Sequence, residues 1–361
     1  MSKKFKQFFP GLFGIKKAPF SIFYILPAVF ILLALSGCKA ADTENTEPIS
    51  STAIKLNTVV TITIYDSTDR SLLDECMKLC DKYEAVFSRT SSDSELYKLN
   101  HRLLQTAGNN SDTYQVSEDL AELIDTGLQY SEMSQGAFDI AIAPLTSLWD
   151  FTAEDPQVPD DTLIQDALKK CGYSGISVDG TSVTFSSKDT EIELGAVAKG
   201  YIADRLKDYL ISEGVKSAII DLGGNVLCIG SKPDGTPFKI GIQKPFADRN
   251  ETIAAMDITG KSVVSSGIYE RCFTQDDVLY HHILNPKTGY PYDNDLVSVT
   301  IISDKSVDGD ALSTTCFALG LKKGLEFAQS LDNIQAFFVT KDYEIHYTKD
   351  FQKEINITQT S

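Results

Sequence analysis

The sequence predicts an α+β fold built largely from antiparallel sheet. Two observations predict it. From about residue 217 onward, short β-type runs follow one another through turns of a few residues. Between and before them lie helical runs whose apolar residues recur at three and four positions, such as Leu72, Leu73, Cys76, Leu79, Cys80, Tyr83 and Phe87. Strands joined by short turns, with helices in between, fit an α+β domain. No repeat of 20–50 residues is visible.

The elements follow in order. "IKLNTVVTITIYD" alternates Val60, Ile62 and Ile64 and reads as one strand, followed by a helix over about 69–87. The polar stretch "SRTSSDSELYKLN" leads into a short helix, and Ser117, backed by Glu118 and Asp119, caps a helix to about Met133. "GAFDIAIAPLTSLWDF", punctuated by Gly136 and Pro144, carries the one tryptophan, and the helix "TLIQDALKKCG" stops at Gly172. Short strands are expected at 176–178, 183–185 and 191–194, then a helix from Val197 to Glu213 ended by Gly214. Strands follow at 217–222, 225–229, 238–243, 252–258, 262–266, 279–284 and 296–303. A helix from about Asp308 to Leu331 should break near Gly320 and Gly324, and "IQAFFVT" and "YEIHYT" supply the last strands.

Residues 1–37 stand apart from this pattern. Five lysines without an acid precede an apolar run from Phe20 to Leu35, and Leu35-Ser36-Gly37-Cys38 follows. That is the layout of a bacterial lipoprotein signal, in which Cys38 receives lipid and becomes the new N-terminus. An uncleaved anchor is the other reading, but the run is 16 residues with an internal proline, short of the about 20 a span needs. Both readings put the rest of the chain outside the cytoplasm, held to the cell membrane. Residues 38–53, polar and small, read as a flexible tether, and a domain of some 300 residues over 54–357 has ample length for a large core.

Losing the five signal lysines takes the formal net charge from −17 to −22. Such a surface repels nucleic acid and anionic lipid, so no nucleic-acid partner is expected. Any phosphate site must bring its own cation or backbone N–H groups. Of the six remaining cysteines none forms a CxxC, and Cys76 and Cys80 sit on a helical core face.

Four stretches bear on chemistry. "ELGAVAKGYIADRL" (193–206) puts Lys199-Gly200 on the first turn of a helix, which suits an anionic phosphate; an ordinary strand-to-helix junction fits it as well. "DLGGNVLCIG" (221–230) is no GxGxxG and precedes no helix, which excludes a dinucleotide-binding Rossmann unit; a tight hairpin explains its glycines. In "VDGDALSTTCFALG" (307–320), Asp310, Ser313 and Thr314 share one helical face, as a hard-cation corner or as a helix-capping cluster. "HHILNPKTGYP" (281–291) places two of the four histidines at the mouth of a turn. Strand alternation sends one of them to a cleft and the other to core or solvent.

Together, "GAFDIAIAPL", "ELGAVAKGYIAD", "DLGGN", "SSGIYER", "HHILNPKTGYP" and "DGDALSTTCFALG" resemble, in order and spacing, the motifs of the ApbE family, the FAD:protein FMN transferases. The resemblance spans about residues 54–350. It implies a single α+β unit with tunnelling-fold-like sheets. It also implies a Mg²⁺-dependent enzyme that takes FAD, releases AMP and joins FMN to a threonine or serine hydroxyl of an acceptor protein. Acceptors in the family are flavin-carrying subunits of membrane redox complexes or exported electron-transfer lipoproteins.

Carried onto this chain, the resemblance gives the metal the Ala196 carbonyl, Asp310 and Thr314, with Ser313 standing where some members have a second aspartate. Flavin or nucleotide contacts fall to Leu56, Thr90, Ala137, Phe138, Asp139, Glu193, Lys199 and Leu284. Leu56 replaces a frequent methionine, Glu193 and Asn285 frequent aspartates, and Thr90 an aromatic residue of some members. His282 matches the family's motif histidine and is the residue to take the acceptor's proton, which leaves His281 a structural role. A metal at the phosphates fits a chain at −22, because it supplies the positive charge that phosphoryl transfer needs. Hydrolysis of FAD to FMN and AMP at the same site, and plain capture of extracellular flavin, are the alternative readings.

Overall fold

The computed structural model describes residues 47–108, 112–248 and 250–359. The expected signal segment and Cys38 lie outside them. The chain enters as a hairpin in which β1 (Ile49–Lys55) pairs with β2 (Thr58–Ile64). Leu56 and Asn57 both take φ 55 between them, the left-handed pair that a two-residue turn between twisted strands requires. β1 therefore begins before Ile54, and residues 49–53, expected in the tether, belong to the sheet. "ISSTAIK" escaped notice because it is an edge strand with no fully buried side chain, held partly by hydroxyl pairs such as Thr52–Thr61 at 3.1 Å.

Four helices of the first half form where they were expected, α1 (Ser71–Phe87), α2 (Glu95–Asn100), α3 (Glu118–Met133) and α5 (Asp161–Leu168), the last ending short of Gly172; α4 (Ala143–Trp149), with Pro144 in its first turn, was not expected. Ser94 and Ser117 cap α2 and α3, accepting from Tyr97 N and Leu120 N at 3.2 and 3.3 Å. The strands β3 (Thr113–Gln115), β4 (Ile176–Asp179) and β5 (Ser182–Phe185) make a small antiparallel sheet. The strand expected at 191–194 is absent. Ile192 and Leu194 do alternate into the core, but the Asn100 side chain stands in for a neighbouring strand. Its Oδ1 accepts from Ile192 N at 2.8 Å and its Nδ2 donates to Ile192 O at 2.9 Å.

α6 (Ala198–Ser212) leads into the strand-rich half: β6 (Ala218–Leu222), β7 (Asn225–Ile229), β8 (Phe238–Gln243), β9 (Thr252–Ile258), β10 (Ser262–Gly267), β11 (Cys272–Gln275), β12 (Val278–His281) and β13 (Leu296–Ser303). α7 (Ser306–Gln329) is broken at Gly320, where φ is 75, as the two glycines suggested. β14 (Gln335–Thr340), β15 (Ile345–Tyr347), α8 (Phe351–Glu354) and β16 (Ile357–Gln359) follow. Eight strands form one sheet in the order β1-β2-β6-β7-β10-β13-β14-β15, with antiparallel pairing at every step. β11 and β12 form a separate hairpin, so the strand expected over 279–284 ends at His281.

The core lies in two large apolar clusters. One joins β2, α1, α3 and α6 through residues such as Ile62, Cys76, Leu123 and Leu206. The other joins β8, β9, β13, β14 and the first part of α7 through Phe238, Val299, Phe317 and Phe338. Burial raises the Cys76 and Cys80 thiols to about 12 and about 11, so both are unreactive core groups as the helical spacing implied. No helix among the described residues is long and apolar enough to cross a membrane.

Candidate active site

Where α6, α7, β7 and β10 meet, a group of polar side chains is buried. The approach depends on Gly200: a Cβ there would lie 2.3 Å from the backbone oxygen of Ser306, so only glycine lets the two helix starts touch. In consequence Gly200 N donates to Asp310 Oδ2 at 2.6 Å, and Lys199 Nζ stands 3.7 Å from Oδ1. The turn at 193–200 and the helix bearing Asp310 thus converge, although 110 residues of chain separate Gly200 from Asp310.

Asn225 completes the support of this carboxylate. Its Nδ2 donates to Asp310 Oδ1 at 3.0 Å, and its Oδ1 accepts from Ser306 Oγ at 2.7 Å. The "DLGGN" stretch is the hairpin its glycines suggested, with Gly223 at φ 67 and a Cβ site only 1.9 Å from Thr58 Oγ1. Asn225 escaped the sequence reading because its partners lie 81 and 85 residues away.

The start of α7 is capped from α6. Asp204 accepts from Ser306 N at 2.8 Å and from Val307 N at 3.0 Å. Burial nevertheless pushes its carboxyl up to about 6, the two N–H donors opposing the rise. Asp308 accepts from Tyr130 OH at 2.7 Å. Asp310 therefore does not cap its own helix; its carboxylate instead takes a backbone N–H of the first turn of α6. One turn on, Ser266 Oγ on β10 lies 2.8 Å from Ser313 Oγ and 3.1 Å from Thr314 Oγ1. Ser313 is fully buried and donates to Asp310 O at 3.0 Å, whereas Thr314 is partly exposed.

The two histidines divide as strand alternation requires. His281 is buried edge-on to Phe317, with Nε2 donating to Tyr292 O at 2.9 Å and Nδ1 accepting from Ile283 N at 3.3 Å. Desolvation holds it neutral, its pKa lowered to about 4. His282, just past β12, is partly open to solvent and lies 3.2 Å through Nδ1 from Arg271 O. The proton therefore sits on Nδ1, and Nε2 keeps a free lone pair. Protein packed around the ring lowers its pKa to about 4, the charges of Arg271 and Lys199 adding to the effect.

The other expected contacts spread over neighbouring loops. Glu193 Oε1 accepts from Gly195 N at 2.9 Å, and its Oε2 accepts from Arg89 Nε at 2.6 Å. Thr90 is exposed beside Arg89, on the wall of an open cleft of about 740 Å³ that Tyr97, His101, Ser147 and Lys170 also line. Phe138 and Leu284 are core side chains. Asp139 is buried, its oxygens accepting from Ala141 N at 2.7 Å and Tyr173 N at 3.2 Å. The Ala137 carbonyl takes the Tyr292 hydroxyl at 2.9 Å. Leu56 packs against the first cluster from its hairpin turn, and Ala196 does so from the turn before α6. Turn 285–289 is fixed by Asn285 Oδ1, accepting from Lys287 N at 2.9 Å, and by Gly289 O, accepting from Trp149 Nε1 at 2.8 Å.

Known proteins resemble this chain in sequence and in fold. The sequence model of the ApbE family matches residues 56–338. An FAD:protein FMN transferase of Klebsiella pneumoniae (strain 342) is 39% identical over 298 residues, covering 82% of this chain and 90% of that protein. One of Treponema pallidum (strain Nichols) is 33% identical over 288 residues, covering 76% and 78%. Among solved structures, the ApbE protein of Thermotoga maritima superposes with a TM-score of 0.76 at 30% identity, over 85% of this chain and 99% of that one. The flavin transferase ApbE from Vibrio cholerae superposes with a TM-score of 0.75 at 24% identity, over 85% and 99%, a likeness of fold.

Proposed function

Because the chain belongs to the ApbE family, with that family's single α+β domain, and is a transferase enzyme, we propose that it moves FMN from FAD onto a protein. The acceptor is a threonine or serine hydroxyl of an exported flavoprotein subunit or electron-transfer lipoprotein, and AMP is released. The observation that carries this reading is the convergence of Lys199, Gly200 and Asn225 on the buried Asp310 carboxylate. A carboxylate so supported, beside a helix start with a lysine, is built to face phosphates through a cation.

The donor set fits Mg²⁺. Asp310, the Thr314 hydroxyl and the Ala196 carbonyl are hard oxygens, and each Asp310 oxygen accepts one N–H bond, leaving lone pairs over. When bound there, Mg²⁺ supplies neutralisation of charge on the pyrophosphate oxygens. Ser313, already shared between Asp310 O and Ser266, serves to fix the helix face, while the more open Thr314 reaches the ligand. Lys199 adds a second positive charge beside the same phosphates.

The chain's residues then handle one proton. The acceptor hydroxyl oxygen attacks the phosphorus on the FMN side of the pyrophosphate. A new P–O bond forms, the P–O bond to the AMP phosphate breaks, and AMP leaves with that electron pair. His282 Nε2 takes the hydroxyl proton, since Nδ1 is committed to Arg271 O and the ring is neutral at pH 7. In this reading Cys38 carries the lipid that holds the domain on the outer side of the cell membrane.

Incubation with FAD and Mg²⁺, with and without a threonine-bearing exported flavoprotein subunit, tests the proposal. AMP release that requires the acceptor, with flavin fluorescence on the acceptor band of a denaturing gel, is the expected result. AMP release independent of acceptor would make the chain a hydrolase, and no release would make it a flavin-capture protein.

A further inference from the structure

Arg89, at the loop between α1 and α2, joins three parts of the site that are far apart in the chain. Its Nε donates to Glu193 Oε2 at 2.6 Å, and its Nη1 donates to Ser147 Oγ, on α4, at 2.7 Å. Glu193 turns its other oxygen to Gly195 N at 2.9 Å. The carboxylate is thereby a bracket: one oxygen holds the guanidinium, the other holds the turn that continues into Ala196, Lys199 and Gly200. Both partners are about a quarter exposed, at 23% and 24% of their side-chain surface, so the pair is neither buried in the core nor swept by bulk water. Arg89 also lines the open cleft of about 740 Å³.

The planar fork of arginine explains the residue type. Two N–H groups on separate nitrogens, at fixed angles, reach a carboxylate and a hydroxyl on different elements at once, a preset spacing that the single nitrogen of lysine does not have. An ion pair at this exposure adds little to stability by itself, so its consequence lies in where it holds the turn. We infer that Arg89 is a positioning residue for FAD binding, setting through Glu193 the turn that presents the Ala196 carbonyl and Lys199 to the phosphates. The inference rests on the reading that this turn and Asp310 hold the pyrophosphate.

The experiment compares Arg89→Gln, Arg89→Lys, Ser147→Ala and Glu193→Gln with the unaltered chain, using FAD as the probe. The readouts are quenching of flavin fluorescence in Mg²⁺ and in EDTA, and thermal unfolding without ligand. Arg89→Gln should weaken FAD binding about tenfold in Mg²⁺ and less in EDTA, with the apo unfolding temperature almost unchanged. Arg89→Lys should recover part of the loss, and Ser147→Ala, which removes one arm of the fork, should lose about two- to threefold. Adding Glu193→Gln to Arg89→Gln should cost less than the two single losses added together, since the two share one ion pair.

Unchanged FAD affinity in Arg89→Gln, while Glu193→Gln loses it, overturns the inference and leaves the site reading standing. Unchanged affinity in Glu193→Gln and in Asp310→Asn alike would mean the turn does not hold FAD, which overturns both. A lowered unfolding temperature in Arg89→Gln and Ser147→Ala with intact FAD affinity would also overturn it, reducing Arg89 to a structural brace.

Discussion

Asn225 holds Asp310 at 3.0 Å through its amide N–H while its own carbonyl oxygen accepts the Ser306 hydroxyl at 2.7 Å. The residue is 1% exposed, so neither bond can be replaced by bulk water. Its amide has a donor and an acceptor in the orientation this position needs, which fixes both the Asp310 rotamer and the start of α7.

Asn225→Ala should therefore damage more than packing. It leaves the Asp310 carboxylate one donor short and the Ser306 hydroxyl without its acceptor, and an unmet buried polar group costs about 1–3 kcal/mol. A drop in unfolding temperature and at least a tenfold loss of transfer are expected. Asn225→Asp should be worse for FAD binding than for stability at low pH, because a second carboxylate within 3.0 Å of Asp310 favours protonation of one of the pair. Calorimetry across pH together with FAD titration checks both, and wild-type FAD affinity in Asn225→Asp at pH 8 would sink the account.

The proton acceptor gives a second test. With about 10²–10⁴-fold typical of a general base, His282→Ala should lose most transfer at saturating FAD and acceptor while still binding FAD. Its pKa is lowered to about 4, so the free enzyme keeps the base unprotonated through mildly acidic conditions. The acid limb of kcat/KM should then fall as pH drops towards 4 rather than near 6.5. A limb at 6.5 that vanishes in His282→Ala would show the ring to be far more hydrated than this packing allows.

Stability should respond to the same groups with definite signs. His281 and His282 have folded values lowered to about 4, below the 6.5 of an unperturbed imidazole, so unfolding takes up protons between them. Their contribution is present above pH 6.5 and is lost as pH falls towards 4. Asp204 acts oppositely: its folded value is raised to about 6, so protonation favours the fold as pH falls from 6 towards 3.8. Thermal unfolding should show a decline from pH 6.5 to 4 that steepens in Asp204→Asn. A slope unaltered in that variant would mean Asp204 keeps its ordinary carboxyl pKa.

How much of this was legible follows from the range of each interaction. The helix α3 was legible because its cap Ser117, its acidic first turn and its apolar spacing are all local. The two histidines were separable because strand alternation is local as well. β1 was not, since an edge strand without buried side chains has no pattern to read. Asn225, Ser266, Asp204 and Arg89 were not, because their partners lie 47 to 104 residues away and become neighbours only when α6, α7 and the sheet meet.

Lipid anchorage has its own test, independent of the folded domain. Cys38→Ala removes the thiol that would carry the lipid, so the protein should appear unprocessed or released from the membrane fraction. Normal processing and membrane fractionation of this variant would remove the lipoprotein claim and leave transfer chemistry untouched.

The metal face gives the sharpest comparison, because Asp310 and Thr314 differ in what their loss leaves behind. Asp310→Asn keeps the volume, but a carboxamide has one acceptor and one donor. Gly200 N and Asn225 Nδ2 both donate to this side chain, at 2.6 and 3.0 Å, so the new N–H₂ must face one of them. The change also deletes the only formal negative charge assigned to the cation. Transfer should be abolished and FAD binding should lose its dependence on Mg²⁺. Thr314→Ala removes a neutral, partly exposed oxygen that water can replace, so its loss should be milder and partly restored by raised Mg²⁺. Thr314→Ser, which retains the hydroxyl and its 3.1 Å contact with Ser266, should stay near wild type. If Asp310→Asn retained full transfer with an unaltered Mg²⁺ response, the carboxylate would be only a clasp between α6 and α7, and the cation would have to be sought elsewhere.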